Sequence, residues 1–85
     1  MPAVTEDFNA ELLRTFTEAT SRGLTFVDVN SGDLHRAVGD YPSRTHRMPS
    51  CCDVMKRHLS ARDQILSEPP SGKGASLTIR YALPR

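Results

Sequence analysis

Apolar residues near the start of the chain recur at helical spacing. Phe8, Leu12, Phe16 and Ala19 follow at intervals of four, four and three, the period that lines one face of an α-helix. Thr5 suits an N-cap, and Glu6 and Asp7 stand in the first turn, where the helix dipole favours negative charge. Arg22 and Gly23 supply a basic last turn and a residue free to turn left-handed, so the pattern predicts a first helix over about residues 6–22. Leu24 to Val29 is rich in β-branched and aromatic residues and too short for another helix, which predicts a short strand. Ser31 can cap a second helix, barely two turns long, with Asp33 in its first turn, Leu34, Ala37 and Val38 on its buried face and Gly39 closing it.

Asp40 to Arg47 contains Pro42 and few apolar groups, and reads as a loop. Pro49 or Ser50 opens a third helix, over about residues 49–60, and Ser50-Cys51-Cys52-Asp53 has the layout of a capping box with Asp in place of Glu. Cys52, Met55 and Leu59 share one face of this helix, while Ser50, Asp53, Lys56 and Arg57 occupy the other. Gln64 to Glu68, with Ile65 and Leu66, predicts one strand. Ser76 to Leu83 predicts its partner by strict alternation, Leu77, Ile79, Tyr81 and Leu83 against Thr78, Arg80 and Ala82. The connector Pro69 to Ala75 is too long for a tight turn and is expected to project as a loop, over about residues 68–76, tipped by Lys73.

The chain has 85 residues, 38% of them hydrophobic, 25% charged and 6% aromatic, which fits one small globular domain over 1–85 with no deep enzyme cleft. The apolar runs are too short for a membrane span and the acidic Met1 to Asp7 is unlike a secretory leader, so the expectation is a cytoplasmic protein without membrane contact. Adjacent Cys51 and Cys52 cannot form a spaced disulfide framework, which agrees with a reducing compartment. The net charge of +1 hides a split: Met1 to Asp33 carries six acids against two bases, and Leu34 to Arg85 carries nine bases against four acids. Such a split suggests one face that meets an anion, and simply solvated charges are the alternative.

Helix, short strand, short helix, loop, helix, strand, exposed loop, strand is an order that resembles the winged helix-turn-helix superfamily. The resemblance covers nearly the whole chain and rests on element order, lengths and the basic hairpin tip. The segments SGDLHRAVG, HRMPSCCDVM and ASLTIRYALPR also look like those of small bacterial proteins of no established activity. The resemblance implies an α+β fold in which three helices cover a two- to three-stranded antiparallel sheet, the first strand adding to the hairpin. The implied core is Phe8, Leu12, Phe16, Phe26, Leu34, Val38, Cys52, Met55, Leu59, Ile65, Leu77, Ile79 and Tyr81. The stretch of about eight residues between the second and third helices is longer than a simple helix-turn-helix turn.

In such a domain the third helix enters the major groove of double-stranded DNA. The matching positions are Ser50, Asp53, Lys56 and Arg57: Arg57 for guanine, Lys56 for guanine or phosphate, and Asp53 for cytosine unless it is taken up in capping. Arg44, Thr45, His46 and Arg47 precede that helix and are expected at its positive end near phosphate, and Lys73 at the tip of the wing. Arg80 on the polar strand face either meets nucleic acid or pairs with Glu68 across the hairpin. Lys56 and Arg57 also fit the solvated face of any amphipathic helix, and Lys73 a merely soluble loop.

Other chemistry is less well supported. His46, Cys51, Cys52 and His58, with His35, have poor metal-ligand spacing, because neighbours on a helix diverge by about 100°. The expectation is no metal, no cofactor and no catalytic residue, with Cys52 in the core and Cys51 partly exposed. A cysteine nucleophile at a helix N-terminus, with His46 or His35 as base, lacks an orienting group. Gly72-Lys73-Gly74 lacks the pattern of a phosphate loop. The sequence thus points to a non-catalytic DNA-binding regulator or targeting subunit. The alternative is a winged-helix protein-interaction or dimerisation module, its acidic first helix presenting Glu11, Arg14 and Glu18, and the near-neutral total charge favours it. One small module offers little base-reading surface, which favours a homodimer, yet no heptad or exposed apolar stripe marks its interface.

Overall fold

The computed structural model describes residues 5–38, 48–70 and 74–85. Three helices and a three-stranded antiparallel sheet alternate in the order α1 (Thr5–Ser21), β1 (Phe26–Asn30), α2 (Ser31–Val38), α3 (Met48–Arg57), β2 (Gln64–Ser67) and β3 (Thr78–Ala82). The expected α+β class and the third strand are present. Element ends differ from the sequence reading by a residue or two at most ends and by three at the end of α3, where the chain turns away after Arg57.

Helix α1 buries Phe8, Leu12, Phe16 and Ala19, the stripe seen in the sequence. Its outer face carries a ladder: Arg14 bonds Glu11 and Glu18, the latter at 2.8 Å, and Arg22 bonds Glu18 at 2.9 Å. Such exposed pairs contribute a few tenths of a kcal/mol each. Gly23 ends the helix at φ +80°, the left-handed conformation a Cβ would disfavour. The Leu24 amide then bonds back to Ala19 O at 3.1 Å.

β3 lies at the centre of the sheet, in the order β1-β3-β2. It pairs with β1 from Phe26↔Ala82 to Asn30↔Thr78, and with β2 at Gln64↔Arg80 and Ile65↔Ile79, with a bulge before Ser67↔Thr78. Alternation sends Val29, Ile79 and Tyr81 beneath the helices, and Leu77 and Leu83 extend that apolar row. Asp28 and Arg80 stand on the opposite, open face, where they form a two-pronged ion pair of 2.8 and 3.1 Å. The Arg80 guanidinium also lies 4.3 Å from the Phe26 ring centroid.

α2 follows β1 without a connecting residue. Asn30, the last residue of the strand, caps the helix by accepting the Asp33 amide at 3.0 Å. The sequence reading gave that role to Ser31; instead the Ser31 hydroxyl donates to Gly74 O at 2.5 Å and its amide to Leu77 O at 2.8 Å. The face expected from Leu34, Ala37 and Val38 rotates accordingly: Leu34 is buried, Val38 partly so and Ala37 exposed, while Ser31, Gly32 and His35 are the other buried positions. The His35 ring meets Phe8 edge-on at 4.9 Å.

α3 inserts Cys51, Cys52, Val54 and Met55 into the core. Ser50 lies two residues inside the helix, so the expected Ser50–Asp53 capping box does not open it. The Tyr81 hydroxyl, packed edge-on against Phe16 at 4.8 Å, donates to Met55 O at 2.7 Å and satisfies one of the last four carbonyls of α3. Three residues expected in the core are half-exposed: Phe26 (45%), Leu59 (38%) and Ile65 (36%). Phe26 sits on the open sheet face, Ile65 on an edge strand, and Leu59 beyond the end of α3. Cys51, expected to be partly exposed, is as fully buried as Cys52, because the helix turns both side chains inward.

Candidate nucleic-acid interface

With Cys51, Cys52, Val54 and Met55 inside, α3 leaves Pro49, Ser50, Asp53, Lys56 and Arg57 towards its outer side. Ser50, Asp53 and Lys56 are partly covered and Arg57 is exposed. Lys56 Nζ lies 3.0 Å from Glu68 Oε1, so the last turn of the helix is joined to the residue just beyond β2. Glu68 therefore pairs with Lys56 and not with Arg80, as the alternation across the hairpin had suggested.

The other end of the hairpin connection is also fixed. Gly74 O accepts from the Ser31 hydroxyl and, at 3.5 Å, from Cys52 Sγ, and Ala75 O accepts the Asn30 side-chain amide at 3.0 Å. The connection thus leaves β2 beside the last turn of α3 and returns beside its first half. The Glu68 end of the connection therefore lies beside the outer face of α3, and the Gly74 end meets its buried side at Cys52.

Of the residues expected at an interface, Ser50, Asp53, Lys56 and Arg57 are brought together. Arg80 is not: it stands on the open sheet face, away from α3. Arg44, Thr45, His46, Arg47 and Lys73 lie outside the described residues. Arg62, exposed in the turn after α3, adds a basic residue that the sequence reading passed over. Its only signal was that it follows the helix within five residues of Arg57 in a turn-forming stretch, S-A-R-D.

The turn carrying Arg62 is held by Asp63. Its side chain is fully buried and accepts four hydrogen bonds: from the Ser60 amide (2.7 Å) and hydroxyl (3.0 Å), the Ala82 amide (2.8 Å) and Arg85 Nη1 (2.6 Å). Burial pushes the carboxyl up, yet the bonds from Arg85, Ala82 and Ser60 outweigh it and bring the pKa down to about 2. His58 Nε2 lies 2.6 Å from Asn9 Oδ1, tying the end of α3 to α1. Burial, together with the Arg85 and Arg57 charges, holds the His58 pKa below its ordinary value, so this ring favours the neutral form.

The cysteines face the opposite way from a reactive thiolate. Cys51 Sγ approaches Ser31 O at 3.4 Å, and burial pushes its pKa up to about 12. Burial raises Cys52 as well, against weaker lowering contacts from Ser31 and Gly74. Among the described residues, no group of three His, Cys, Asp or Glu side chains is placed to hold a metal ion, and no helix is long and apolar enough to cross a membrane. Compared with protein-family models, with curated proteins and with solved structures, the chain matches none.

Proposed function

We propose that this chain is a winged-helix module that binds double-stranded DNA through the outer face of α3 and the adjoining hairpin connection, serving as a regulator or as the targeting part of a larger assembly. The observation that carries the reading is the Lys56–Glu68 pair at 3.0 Å, which joins the outer face of α3 to the residue just beyond β2. The helix and strand order, with β1 added beside β3, supports the winged-helix comparison. In this reading Arg57 contacts guanine or phosphate, Ser50 and Asp53 face base edges, and Arg62 meets the backbone. Lys56 exchanges Glu68 for phosphate at little cost, because an exposed ion pair contributes only about 0–1 kcal/mol.

The test is fluorescence anisotropy of a labelled mixed-sequence duplex at several salt concentrations. Three to five phosphate contacts give log affinity a slope of roughly −3 to −5 against log salt. The Lys56→Ala, Arg57→Ala double variant should lose binding and keep its circular dichroism spectrum. Absence of binding at low salt refutes the reading.

A protein-docking function is the second reading. It is favoured by a groove of about 380 Å³ between α1 and the chain end, lined by Leu13, Phe16, Thr17, His58 and Arg85, with Leu13 exposed at its rim. Glu11, Arg14 and Glu18, expected to present themselves to a partner, are instead paired with one another on α1.

A further inference from the structure

Lys56 reaches from the outer face of α3 to an acid carried by another element. Its Nζ lies 3.0 Å from Glu68 Oε1, and the two side chains are 33% and 44% exposed. A carboxylate oxygen and a phosphate oxygen make the same demand of an ammonium group: an anionic acceptor at hydrogen-bond distance. Glu68 therefore occupies the kind of position on Lys56 that a nucleic-acid phosphate takes.

The backbone around Glu68 is held from both sides. Before it, β2 is paired to β3 as far as Ser67↔Thr78. After it comes Pro69, which confines the preceding residue to extended backbone. The Pro69 ring lies against Gly74, where an added Cβ would stand 3.3 Å from both Pro69 Cβ and Cγ. Gly74 is itself anchored through its carbonyl to the Ser31 hydroxyl at 2.5 Å and to Cys52 Sγ at 3.5 Å. The carboxylate is thus presented to Lys56 by a restrained stretch of chain, so less ordering entropy opposes this pair than opposes most surface ion pairs.

Resting on the DNA-binding reading above, we propose that Glu68 is an internal competitor for Lys56, an autoinhibitory contact that a DNA phosphate must displace before this lysine grips the backbone. Glu68 then sets the affinity of the α3 face below what its cations alone would give, and it acts through one named residue. General repulsion of DNA by a carboxylate makes a different prediction, because it does not depend on whether Lys56 is present.

A double-mutant cycle on the whole chain separates the two. Wild type, Glu68→Gln, Lys56→Gln and the double variant are titrated into the labelled mixed-sequence duplex at low salt, with circular dichroism spectra to check that all four are folded. Glu68→Gln keeps the shape of the side chain and should lower Kd by roughly two- to fivefold, the range that release of such an ion pair supports. In the Lys56→Gln background the same change should leave Kd nearly unchanged, since without the ammonium the carboxylate acts only through screened repulsion. Equal Kd values for wild type and Glu68→Gln overturn the inference and leave the DNA reading standing. So does an equal gain in both backgrounds, which marks general repulsion. No binding by either wild type or Glu68→Gln refutes the DNA reading and the inference with it.

Discussion

Replacing Asp63 by Asn should cost about 2–3 kcal/mol of folding stability at neutral pH, although the residue lies in a turn and far from the centre of the core. The side chain is fully buried, and its two oxygens accept from Ser60, Ala82 and Arg85 at 2.6 to 3.0 Å. An amide of the same shape keeps one acceptor but turns an NH2 group towards existing donors, leaving at least one buried N–H without a partner. The same hydrogen bonds act on the ionisation. The carboxyl falls from its ordinary 3.8 to about 2, and just under two pKa units at about 1.4 kcal/mol per unit is about 2.5 kcal/mol.

The sign of the pH effect follows from that direction. A depressed folded-state pKa means the contribution is complete above the unfolded value, near 4, and disappears as pH falls through about 2. About half of it is left at roughly pH 3. Urea unfolding of wild type and Asp63→Asn between neutral pH and about pH 2.5, followed by circular dichroism, gives the difference directly. Other carboxylates lowered by their Arg partners, Glu11 and Asp28, are present in both proteins and cancel in that difference. A loss at neutral pH below about 1 kcal/mol, or a gap that does not narrow below about pH 4, refutes the reasoning.

Three further outcomes follow from the same packing. Tyr81→Phe removes the donor that satisfies Met55 O at 2.7 Å and should cost about 1–2 kcal/mol in thermal or urea unfolding. Gly32→Ala places a Cβ 3.1 Å from Asn30 Oδ1 and 3.2 Å from Ala75 O, and because the Ala75 carbonyl is backbone held by two hydrogen bonds, a net loss of about 1 kcal/mol is expected. Cys51 and Cys52 should react with a thiol reagent at about pH 8 roughly a hundredfold or more slower in the folded than in the urea-unfolded protein, since burial removes access and disfavours the thiolate. Fast labelling of the native protein would contradict that burial.

Elements of the fold were readable wherever one periodicity ruled. The four-four-three spacing of α1 and the alternation of Leu77, Ile79, Tyr81 and Leu83 are one-dimensional records of a single buried face, and both are buried as spaced. Errors arose where burial depends on a partner. Ile65 is chemically a core residue, but it lies on the edge strand of the sheet, where it is half-exposed. Phe26 belongs to the strand face that no helix covers. Ser31 has the chemistry of a cap, yet a better-placed Asn30 takes the cap and frees Ser31 to anchor Gly74, a contact 43 residues away. Of the candidate interface, the outer face of α3 was legible from helical spacing. The separation of Arg80 from it was not, because strand alternation fixes a face without saying which face the helices cover.

The charge split along the sequence has a different meaning once the chain is folded. Asp28, from the acidic segment, neutralises Arg80 from the basic one, while Glu68 and Asp63 hold Lys56 and Arg85. Four of the nine bases after Asp33, namely Arg36, Lys56, Arg80 and Arg85, are thus held in ion pairs, two of them with acids of the first segment. The basic residues left around the end of α3 are Lys56, Arg57 and Arg62, with Lys56 partly screened by Glu68. Three such contacts correspond to a salt slope of about −2.7, the shallow end of the range expected for DNA binding. A measured slope near −3 that collapses in the Lys56→Ala, Arg57→Ala variant would place recognition on this cluster. A slope nearer −5 requires charge from Arg44, Arg47 or Lys73, and replacing those residues should then flatten it by about one unit apiece.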